Sequence, residues 1–232
     1  MMDKTLIQHR FKKNLGTYQD HCVVQRQMAD RLIQMLQEGV FVPRRILEIG
    51  CGTGVLTEKL VELFPQAEYV AVDVVGECEE YIQRISSQIQ FLQGDIETMQ
   101  LSGEFDLIIS NAVFQWVEDL PLLVARLKML LSEGGKFIFS SFGNENFKEI
   151  RELTGLGLDY SNWSGLGFQS VDDEVVRLRF DSPVEVLRHL KYTGVNCVTS
   201  QHWTKSDLMR FEENYPKDDG CFLTYHPVYV LV

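Results

Sequence analysis

A glycine-rich stretch follows an acidic residue in the segment ILEIGCGTGVLTEKL, residues 46–60. Glu48 lies near the end of an apolar run, and three glycines follow at alternate positions, Gly50, Gly52 and Gly54. A turn of this composition between a strand and a helix lets backbone N–H groups and the helix N-terminus approach a ligand. We therefore expect the turn to bind a small molecule, with Cys51 serving as a small residue within it.

The acid beside the turn bears on whether the ligand is a dinucleotide with a pyrophosphate or a cationic molecule. The dinucleotide fingerprint G-x-G-x-x-G would need a third glycine at position 55, which is Val55. A carboxylate at this place also suits a cationic ligand better than a pyrophosphate. A nicotinamide-dependent dehydrogenase is therefore the less favoured hypothesis.

Two further carboxylates stand where the next strands are predicted to end. Asp73 closes the apolar run in AEYVAVDVV, 19 residues after Gly54, and Asp95 ends IQFLQGDIE. A carboxylate at position 73 can accept hydrogen bonds from both hydroxyl groups of a ribose. One such feature is often only a tight turn or a helix cap, but three at successive strand ends predict a nucleoside cofactor.

The pattern E-x-G-x-G-x-G, with acids ending the next two strands, resembles class I S-adenosylmethionine-dependent methyltransferases over residues 45–142. That cofactor carries an ammonium and a sulfonium group but no phosphate. The resemblance implies that Asp95 binds the adenine amino group while Ile96 packs on the ring. It implies a cofactor site formed by Tyr18, Glu48, Gly50, Cys51, Gly52, Gly54, Asp73, Val74, Asp95, Ile96 and Asn111.

The segment after the fourth predicted strand, SNAVFQW at residues 110–116, bears on the methyl acceptor. Methyltransferases acting on amino groups often carry Asn/Asp-Pro-Pro-Tyr there, so this class is disfavoured. The five histidines lie outside the predicted core strands and are interpreted as surface or packing residues. A carboxylate acceptor needs no base, because its pKa of about 4 keeps it ionised at neutral pH. We expect no catalytic base and no metal.

Segments inside and outside the cofactor core narrow the resemblance to the malonyl-[acyl-carrier protein] O-methyltransferases of biotin synthesis. They are YQDHCVVQRQMADRL, SNAVFQWVEDL, SFGNENFKEIREL, HLKYTGVN and LTYHPVYVLV. The resemblance implies methylation of a malonyl thioester's free carboxylate, with an acyl carrier protein or coenzyme A as the thiol carrier. S-adenosylhomocysteine would be the other product. The candidates for positioning the substrate are Tyr18, Gln115, Trp116, Arg179 and Lys191.

Other functions stay open at this point. The acceptor could be a small free carboxylic acid or a quinone-type ring, and the latter would need a base. A non-catalytic cofactor-binding partner of another subunit is a further alternative. The intact SNAVFQW segment argues against that alternative.

Composition restricts the partners and the compartment. The 232 residues carry a formal net charge of −11, which opposes nucleic-acid binding. No long apolar run or signal core is present, and the five scattered cysteines are typical of a reduced protein, so we expect a cytoplasmic protein without membrane contact. An acidic carrier would need a local basic patch. Two patches are candidates: Arg10, Lys12 and Lys13, or Arg177, Arg179, Arg188 and Lys191.

The elements that must position these residues alternate between strand and helix from about residue 45 to 140. This rhythm predicts a doubly wound, mostly parallel α/β sheet in a single domain, 1–232. An N-terminal helical cover is expected at 5–40 and a cofactor-binding core at 44–142. A lid and substrate region at 143–221 and a closing strand at 222–232 complete the prediction.

One stretch departs from the family pattern. Residues 160–174 are short and rich in Gly and Ser, and we do not recognise in them the extra helix and strand that family members have. The lid or one edge of the sheet is therefore expected to be reduced.

Overall fold

The computed structural model describes residues 4–155, 157–158, 163, 168–194, 203–217 and 220–232. The strands are β1 (Arg45–Ile49), β2 (Glu68–Asp73), β3 (Gln90–Gln93), β4 (Phe105–Asn111), β5 (Leu131–Phe142), β6 (Ser170–Asp173), β7 (Val176–Phe180), β8 (Cys221–Tyr225) and β9 (Pro227–Leu231). The helices are α1 (Lys4–His21), α2 (Val23–Gln37), α3 (Val55–Leu63), α4 (Cys78–Ile85), α5 (Leu120–Lys128), α6 (Lys148–Thr154), α7 (Pro183–Tyr192) and α8 (Lys205–Asn214).

Seven strands form one sheet in the order β3-β2-β1-β4-β5-β9-β6. The first five in the chain are parallel, and β9 runs antiparallel to both of its neighbours. Strand order reverses between β1 and β4, where ligands bind in open parallel sheets. The predicted doubly wound, mostly parallel fold is confirmed.

Alternate side chains of the central strands enter two cores, one on each face of the sheet. Leu47 and Ile49 belong to one core and Ile46 to the other. Because both faces are covered, consecutive residues of β1 such as Ile46 and Leu47 are both apolar instead of alternating with polar residues, and Arg45 lies only at the start of the strand. The charged residue within it, Glu48, is buried too and therefore needs a specific reason to be there.

The two N-terminal helices cover the carboxyl ends of the strands from different sides. Helix α2 packs against α3 and against β4 and β5, whereas α1 packs against α7. The cover is thus attached to the sheet through one helix and to the C-terminal region through the other. No helix in the described ranges is long and apolar enough to span a membrane.

The C-terminal run FLTYHPVYVLV was predicted as a closing strand broken by Pro227, and the two parts on either side of the break belong to different sheets. Strand β8 pairs with β7 in a separate two-stranded sheet, and β9 inserts between β5 and β6 in the large sheet. Pro227 begins β9, where the missing N–H of proline is tolerated. One apolar run therefore supplies strands to two sheets.

The short stretch before β7 also differs from expectation. Residues Ser170–Asp173 form β6, the edge strand of the large sheet, so the sheet edge is present. Four residues with two adjacent acids show no clear alternation, and pairing with β9 defines this strand. The rest of the interval, except residues 163, 168–169 and 174, lies outside the described residues.

Helix α5 is shorter than its sequence pattern suggests. The run DLPLLVARLKMLLSEGG predicted a helix up to Gly135, but the helix ends at Lys128 and β5 begins at Leu131. A Cβ on Gly135 would lie 3.0 Å from the carbonyl oxygen of Asp106. The residues from Leu131 to Gly135 therefore join β5, which pairs with β4, and a side chain at position 135 would have to displace the backbone of Asp106.

Candidate active site

The glycine turn forms the floor of a cavity at the carboxyl ends of β1, β2 and β4. Gly50 has a positive φ of 72°, and a Cβ there would lie 2.2 Å from Cγ2 of Val113. Gly52 has a φ of 52° and faces the ring of Phe11 on α1. Both positions therefore favour glycine, because the backbone is left-handed at each and because Val113 approaches Gly50 and Phe11 of the cover approaches Gly52. Cys51 lies buried between them and lines the same cavity.

Gly54 has a different role from the other two glycines. It does not line the cavity, although the sequence placed it in the cofactor site. A Cβ on this residue would lie 2.3 Å from Cδ1 of Ile85, and its φ is 87°. The third glycine therefore allows α4 to pack against the start of α3.

Glu48 is a buried carboxylate inside the β-sheet that also lines the cavity. Its Oε2 accepts hydrogen bonds from the Thr57 hydroxyl at 2.7 Å and the Tyr69 hydroxyl at 2.5 Å. Burial raises the pKa of Glu48 to about 7, and the two hydrogen bonds oppose that rise. The side chain is therefore held rigidly where a positive charge on a ligand would favour its ionised form.

Asp73, at the end of β2, is held by the backbone. Its Oδ2 accepts a hydrogen bond from the Gly52 N–H at 2.8 Å, and its Oδ1 accepts one from the Val75 N–H at 2.9 Å. Burial raises the pKa of Asp73, and these backbone hydrogen bonds oppose the rise. The carboxylate thereby links the glycine turn after β1 to the loop that follows β2. The adjacent Val74 lines the cavity as well.

Asp95, beyond the end of β3, is held by the N-terminal cover. The Lys4 ammonium lies 2.9 Å from its Oδ2 and also pairs with Glu97. Partial burial alone would raise the pKa of Asp95, but the bonds from Lys4 and the Glu97 N–H bring it below its usual value. Ile96, the predicted packing surface for adenine, is buried and lines the cavity between these two acids.

The segment after β4 forms the opposite wall of the cavity. Ala112 has a positive φ of 57°, a conformation that costs an alanine about 1 kcal/mol. The Gln115 amide nitrogen donates to the Ala112 carbonyl at 2.7 Å, and its oxygen accepts from Ser141 at 3.1 Å. Trp116 lines the cavity beside it. The strained turn therefore presents Gln115 and Trp116 to the cavity in one orientation.

Asn111 lines the cavity but is already committed to protein contacts. Its amide nitrogen donates to the Gln25 carbonyl at 3.0 Å, and its oxygen accepts from the Ser140 hydroxyl at 2.6 Å. These bonds join α2 to β4 and β5. The residue thus positions the cover over the sheet, a role not evident from its place in the sequence.

The cover supplies more of the site than the sequence suggested. Tyr18 lines the cavity as predicted and packs edge-on against Phe11, with ring centroids 5.2 Å apart. Lys4, Phe11 and Gln25 also line it, and none was predicted as a site residue. Their spacing along two helices matches ordinary helix packing, so no local signal marks them.

Arg179 and Lys191 do not reach the cavity, contrary to the role expected for them. Both side chains are exposed, on β7 and α7 respectively, and neither lines the cavity. Among the lining residues in the described ranges, Lys4 alone is a cation, whereas four are carboxylates: Glu48, Asp73, Asp95 and Glu97. The cavity therefore favours a positively charged ligand.

His189 on α7 is buried outside the cavity. Its Nε2 lies 2.7 Å from the Tyr225 hydroxyl. Burial lowers the pKa of His189 to about 4, and the nearby His21 contributes in the same direction. At neutral pH the residue is an uncharged packing group, in keeping with the interpretation of the histidines from sequence. No group of three potential ligands within the described ranges could hold a metal ion.

Comparisons with known proteins identify the family. Residues 21–198 match the family model described as a methyltransferase domain. A malonyl-[acyl-carrier protein] O-methyltransferase from Chlorobium phaeovibrioides is 39% identical over 250 residues, covering 99% of this chain and 96% of the relative. The one from Bacteroides thetaiotaomicron is 36% identical over 257 residues, with 99% and 98% covered. The chain belongs to the malonyl-[acyl-carrier protein] O-methyltransferase family.

Solved structures agree with this methyltransferase in fold. A putative methyltransferase from Bacillus halodurans matches with a TM-score of 0.59 at 13% identity, covering 87% of this chain and 95% of that one. A coclaurine N-methyltransferase bound to S-adenosylhomocysteine matches with a TM-score of 0.54 at 18% identity, covering 88% and 71%. The family assignment rests on the sequence relatives, and these structures support the fold of the methyltransferase domain.

Proposed function

We propose that this protein transfers a methyl group from S-adenosylmethionine to the free carboxylate of malonyl-acyl carrier protein, an early step of biotin synthesis. The products are the malonyl methyl ester and S-adenosylhomocysteine. The observation that carries the proposal is 39% identity over 99% of the chain to a protein named for this activity. The experiment that tests the proposal is methyl transfer to the purified carrier substrate.

The described cavity fits this cofactor in charge. Four carboxylates and one lysine line it, as a ligand with sulfonium and ammonium groups requires. Asp73 would accept the ribose hydroxyls, and Asp95 the adenine amino group, with Ile96 against the ring. Gly50 and Gly52 would let the backbone approach the methionine part, where Glu48 lies nearest in the sheet.

The cofactor supplies an electrophilic methyl group on a sulfonium, and the acceptor carboxylate is already a nucleophile at neutral pH. The protein's own contribution is then alignment and exclusion of water. Tyr18, Gln115 and Trp116 would position the acceptor, since they line the cavity on its cover and on the wall after β4. No lining residue in the described ranges is a histidine, and the lining carboxylates are assigned to the cofactor or, for Glu97, to the pair with Lys4, so no side chain is assigned as a base.

Transfer of a tritium-labelled methyl group from S-adenosylmethionine tests the proposal directly. Malonyl carrier protein should become labelled in a base-labile methyl ester, and acetyl carrier protein should not. Saturating rates should stay level as pH falls towards about 6, because the acceptor stays ionised. A rate that falls with an apparent pKa near 7 would point instead to a base and to a ring or hydroxyl acceptor. Labelling of free malonate alone would favour a small-acid enzyme.

Docking of the carrier is part of the proposal. Four exposed cations lie on the C-terminal region: Arg177, Arg179, Arg188 and Lys191. None of the four forms an ion pair within the described part of the chain, whereas Lys12 on the cover pairs with Glu77. An unpaired basic patch can offset long-range repulsion between two acidic proteins. We place the carrier on this patch, with malonyl-coenzyme A as the alternative substrate that bears the malonyl carboxylate. We further propose that the protein acts in the cytoplasm and has no nucleic-acid partner.

Charge reversal separates docking from chemistry. Arg188→Glu and Lys191→Glu should each raise the KM for malonyl carrier protein about tenfold and leave S-adenosylmethionine affinity unchanged. Lys128→Glu, the same charge change on α5, should leave this KM alone. Raised salt should weaken the native reaction because exposed charges are screened over about 8–10 Å. An unchanged KM in both variants would remove the docking assignment, and an effect that persists with malonyl-coenzyme A would place Lys191 at the carboxylate.

A further inference from the structure

Gln25 is a buried polar residue of the cavity wall with no evident partner for its side chain. It lies on α2, is 3% exposed, and lines the cavity. Its amide oxygen accepts no hydrogen bond from any residue that the structure describes. Its backbone carbonyl, by contrast, is fixed by the Asn111 amide at 3.0 Å. The backbone is therefore held tightly while the side-chain amide is left unsatisfied.

A buried amide oxygen without a partner is costly, and buried side-chain polar groups in native proteins usually have one. A leucine or methionine at this position of an amphipathic helix would continue the apolar face formed by Val24, Met28 and Leu32. The polar side chain therefore does not serve the packing of α2. A ligand donor in the cavity would satisfy it.

The topology indicates which part of the cofactor lies nearest to Gln25. Along the sheet edge, Asp95 follows β3, Asp73 ends β2, Glu48 lies in β1, and Asn111 ends β4. Adenine and ribose thus occupy the β3–β2 side. Gln25 is bonded to Asn111 on the β4 side, so it lies over the methionine end.

We propose that the Gln25 amide oxygen accepts a hydrogen bond from the α-ammonium group of the cofactor's methionine part. The inference rests on the proposed use of S-adenosylmethionine and deepens it. An amide suits this position because it binds an ammonium without adding a fifth negative charge to a wall that already holds four carboxylates. Gln25 is then a positioning residue for the methyl donor, contributed by the cover.

Calorimetry with two ligands tests the assignment without measuring turnover. The ligands are S-adenosylhomocysteine and its deaminated analogue, in which hydrogen replaces the α-amino group. Gln25→Leu should weaken S-adenosylhomocysteine binding about tenfold to a hundredfold, as expected for one hydrogen bond to a charged group. It should cause no comparable loss with the deaminated analogue, because that ligand lacks the donor.

A matched control and a second variant keep the test independent of folding defects. Gln27→Leu makes the same chemical change at an exposed position of α2 and should leave both affinities unchanged. Gln25→Met keeps an unbranched chain of similar length. It should give the same result as Gln25→Leu, which would show that the lost affinity does not come from a helix perturbed by the branched leucine. The melting temperature of the ligand-free variants should equal or exceed the wild-type value, since an unsatisfied polar group is removed.

Two outcomes would overturn the assignment: unchanged S-adenosylhomocysteine affinity in both variants, or equal losses for the two ligands. Either outcome leaves the cofactor itself untouched, because Asp73→Ala tests cofactor binding separately. If the wild-type protein did not bind S-adenosylhomocysteine at all, the proposed function itself would be refuted.

Discussion

Asp73 and Asp95 follow neighbouring parallel strands, yet they are held in opposite ways. Asp73 is 6% exposed and bound by two backbone N–H groups, both within the core that carries the glycine turn. The side chain of Asp95 is 31% exposed and pairs with Lys4, 91 residues away on the cover. One carboxylate is positioned by the sheet and its turn, and the other depends on a helix that must dock.

The difference in restraint implies a difference in mobility and in response to salt. Backbone hydrogen bonds in a buried turn persist as long as the core is folded. A partly exposed ion pair contributes about 0.2–1 kcal/mol and is screened by salt. We therefore expect the ribose end of the site to be preorganised and the adenine end to open together with α1.

The largest effect should come from Asp73→Ala. Loss of two hydrogen bonds to the ribose should cost about 2–3 kcal/mol, roughly a hundredfold in S-adenosylhomocysteine affinity. Calorimetry measures this directly, with circular dichroism to confirm that the variant is folded. Unchanged affinity would refute the ribose assignment and remove the contrast between the two carboxylates.

Glu48→Gln tests the buried acid through the pH dependence of stability. The folded-state pKa of Glu48 is about 7 and its usual value is 4.5, so the folded protein binds the extra proton. This group therefore makes the free energy of unfolding fall as pH rises from about 4.5 to 7, by about 2 kcal/mol between pH 5 and 8. The variant should lose that contribution. Urea denaturation at several pH values provides the measurement, and parallel curves for the two proteins would contradict the assignment.

Cofactor binding should also be linked to the protonation of Glu48. Folding raises the pKa of this residue, whereas a bound cation should lower it. The sulfonium and ammonium groups of S-adenosylmethionine near Glu48 would favour its ionised form and lower its pKa, so S-adenosylmethionine binding near pH 6.5 should release protons. Calorimetry in buffers of different ionisation enthalpy detects that release. Glu48→Gln should abolish it, and persistent release in this variant would assign the proton to another group.

Asp95→Ala should weaken S-adenosylhomocysteine binding less than Asp73→Ala does, by about tenfold. A single hydrogen bond to the adenine amino group is lost, and Lys4 retains Glu97 as a partner. Comparison with S-inosylhomocysteine, which carries an oxygen in place of the amino group, sharpens the test. The wild type should discriminate between the two ligands and the variant should not. Equal discrimination by both proteins would place the amino group elsewhere.

The smallest effect is expected from Lys4→Met. Without its ion pairs, α1 should open more readily, and stopped-flow measurements should show S-adenosylhomocysteine leaving about threefold faster at low salt. Added salt should speed release from the wild type and have less effect on the variant. Lys12→Met, which removes an exposed pair with Glu77 on the same helix, is the matched control. Identical release from wild type and Lys4→Met would show that the cover is held by packing alone.

Local patterns predicted the central part of this methyltransferase well. The glycine turn and Asp73 were recognisable because strand, turn and helix follow one another within about 30 residues, and their spacing expresses the backbone geometry directly. Gly54 shows the limit of such reasoning. It belongs to the motif in sequence, but only the packing of Ile85 reveals that it accommodates α4.

Patterns that depend on long-range pairing were less informative. Strand β6 was missed because its identity comes from pairing with β9. The final apolar run was predicted as one closing strand broken by Pro227, although its two parts belong to two sheets. Arg179 and Lys191 were placed at the substrate on their charge alone. The fold puts both on the exposed surface, where charge is inexpensive to solvate.

The sequence by itself determined the class of fold, the glycine turn and the placement of carboxylates at successive strand ends. These follow from hydrophobic period, glycine spacing and strand succession, all of which are local properties of the chain. The tertiary structure alone decided that Lys4, Phe11 and Gln25 complete the cavity and that Asn111 holds the cover in place. Such contacts join residues up to 93 positions apart, and helix periodicity does not specify what an interior-facing side chain will meet.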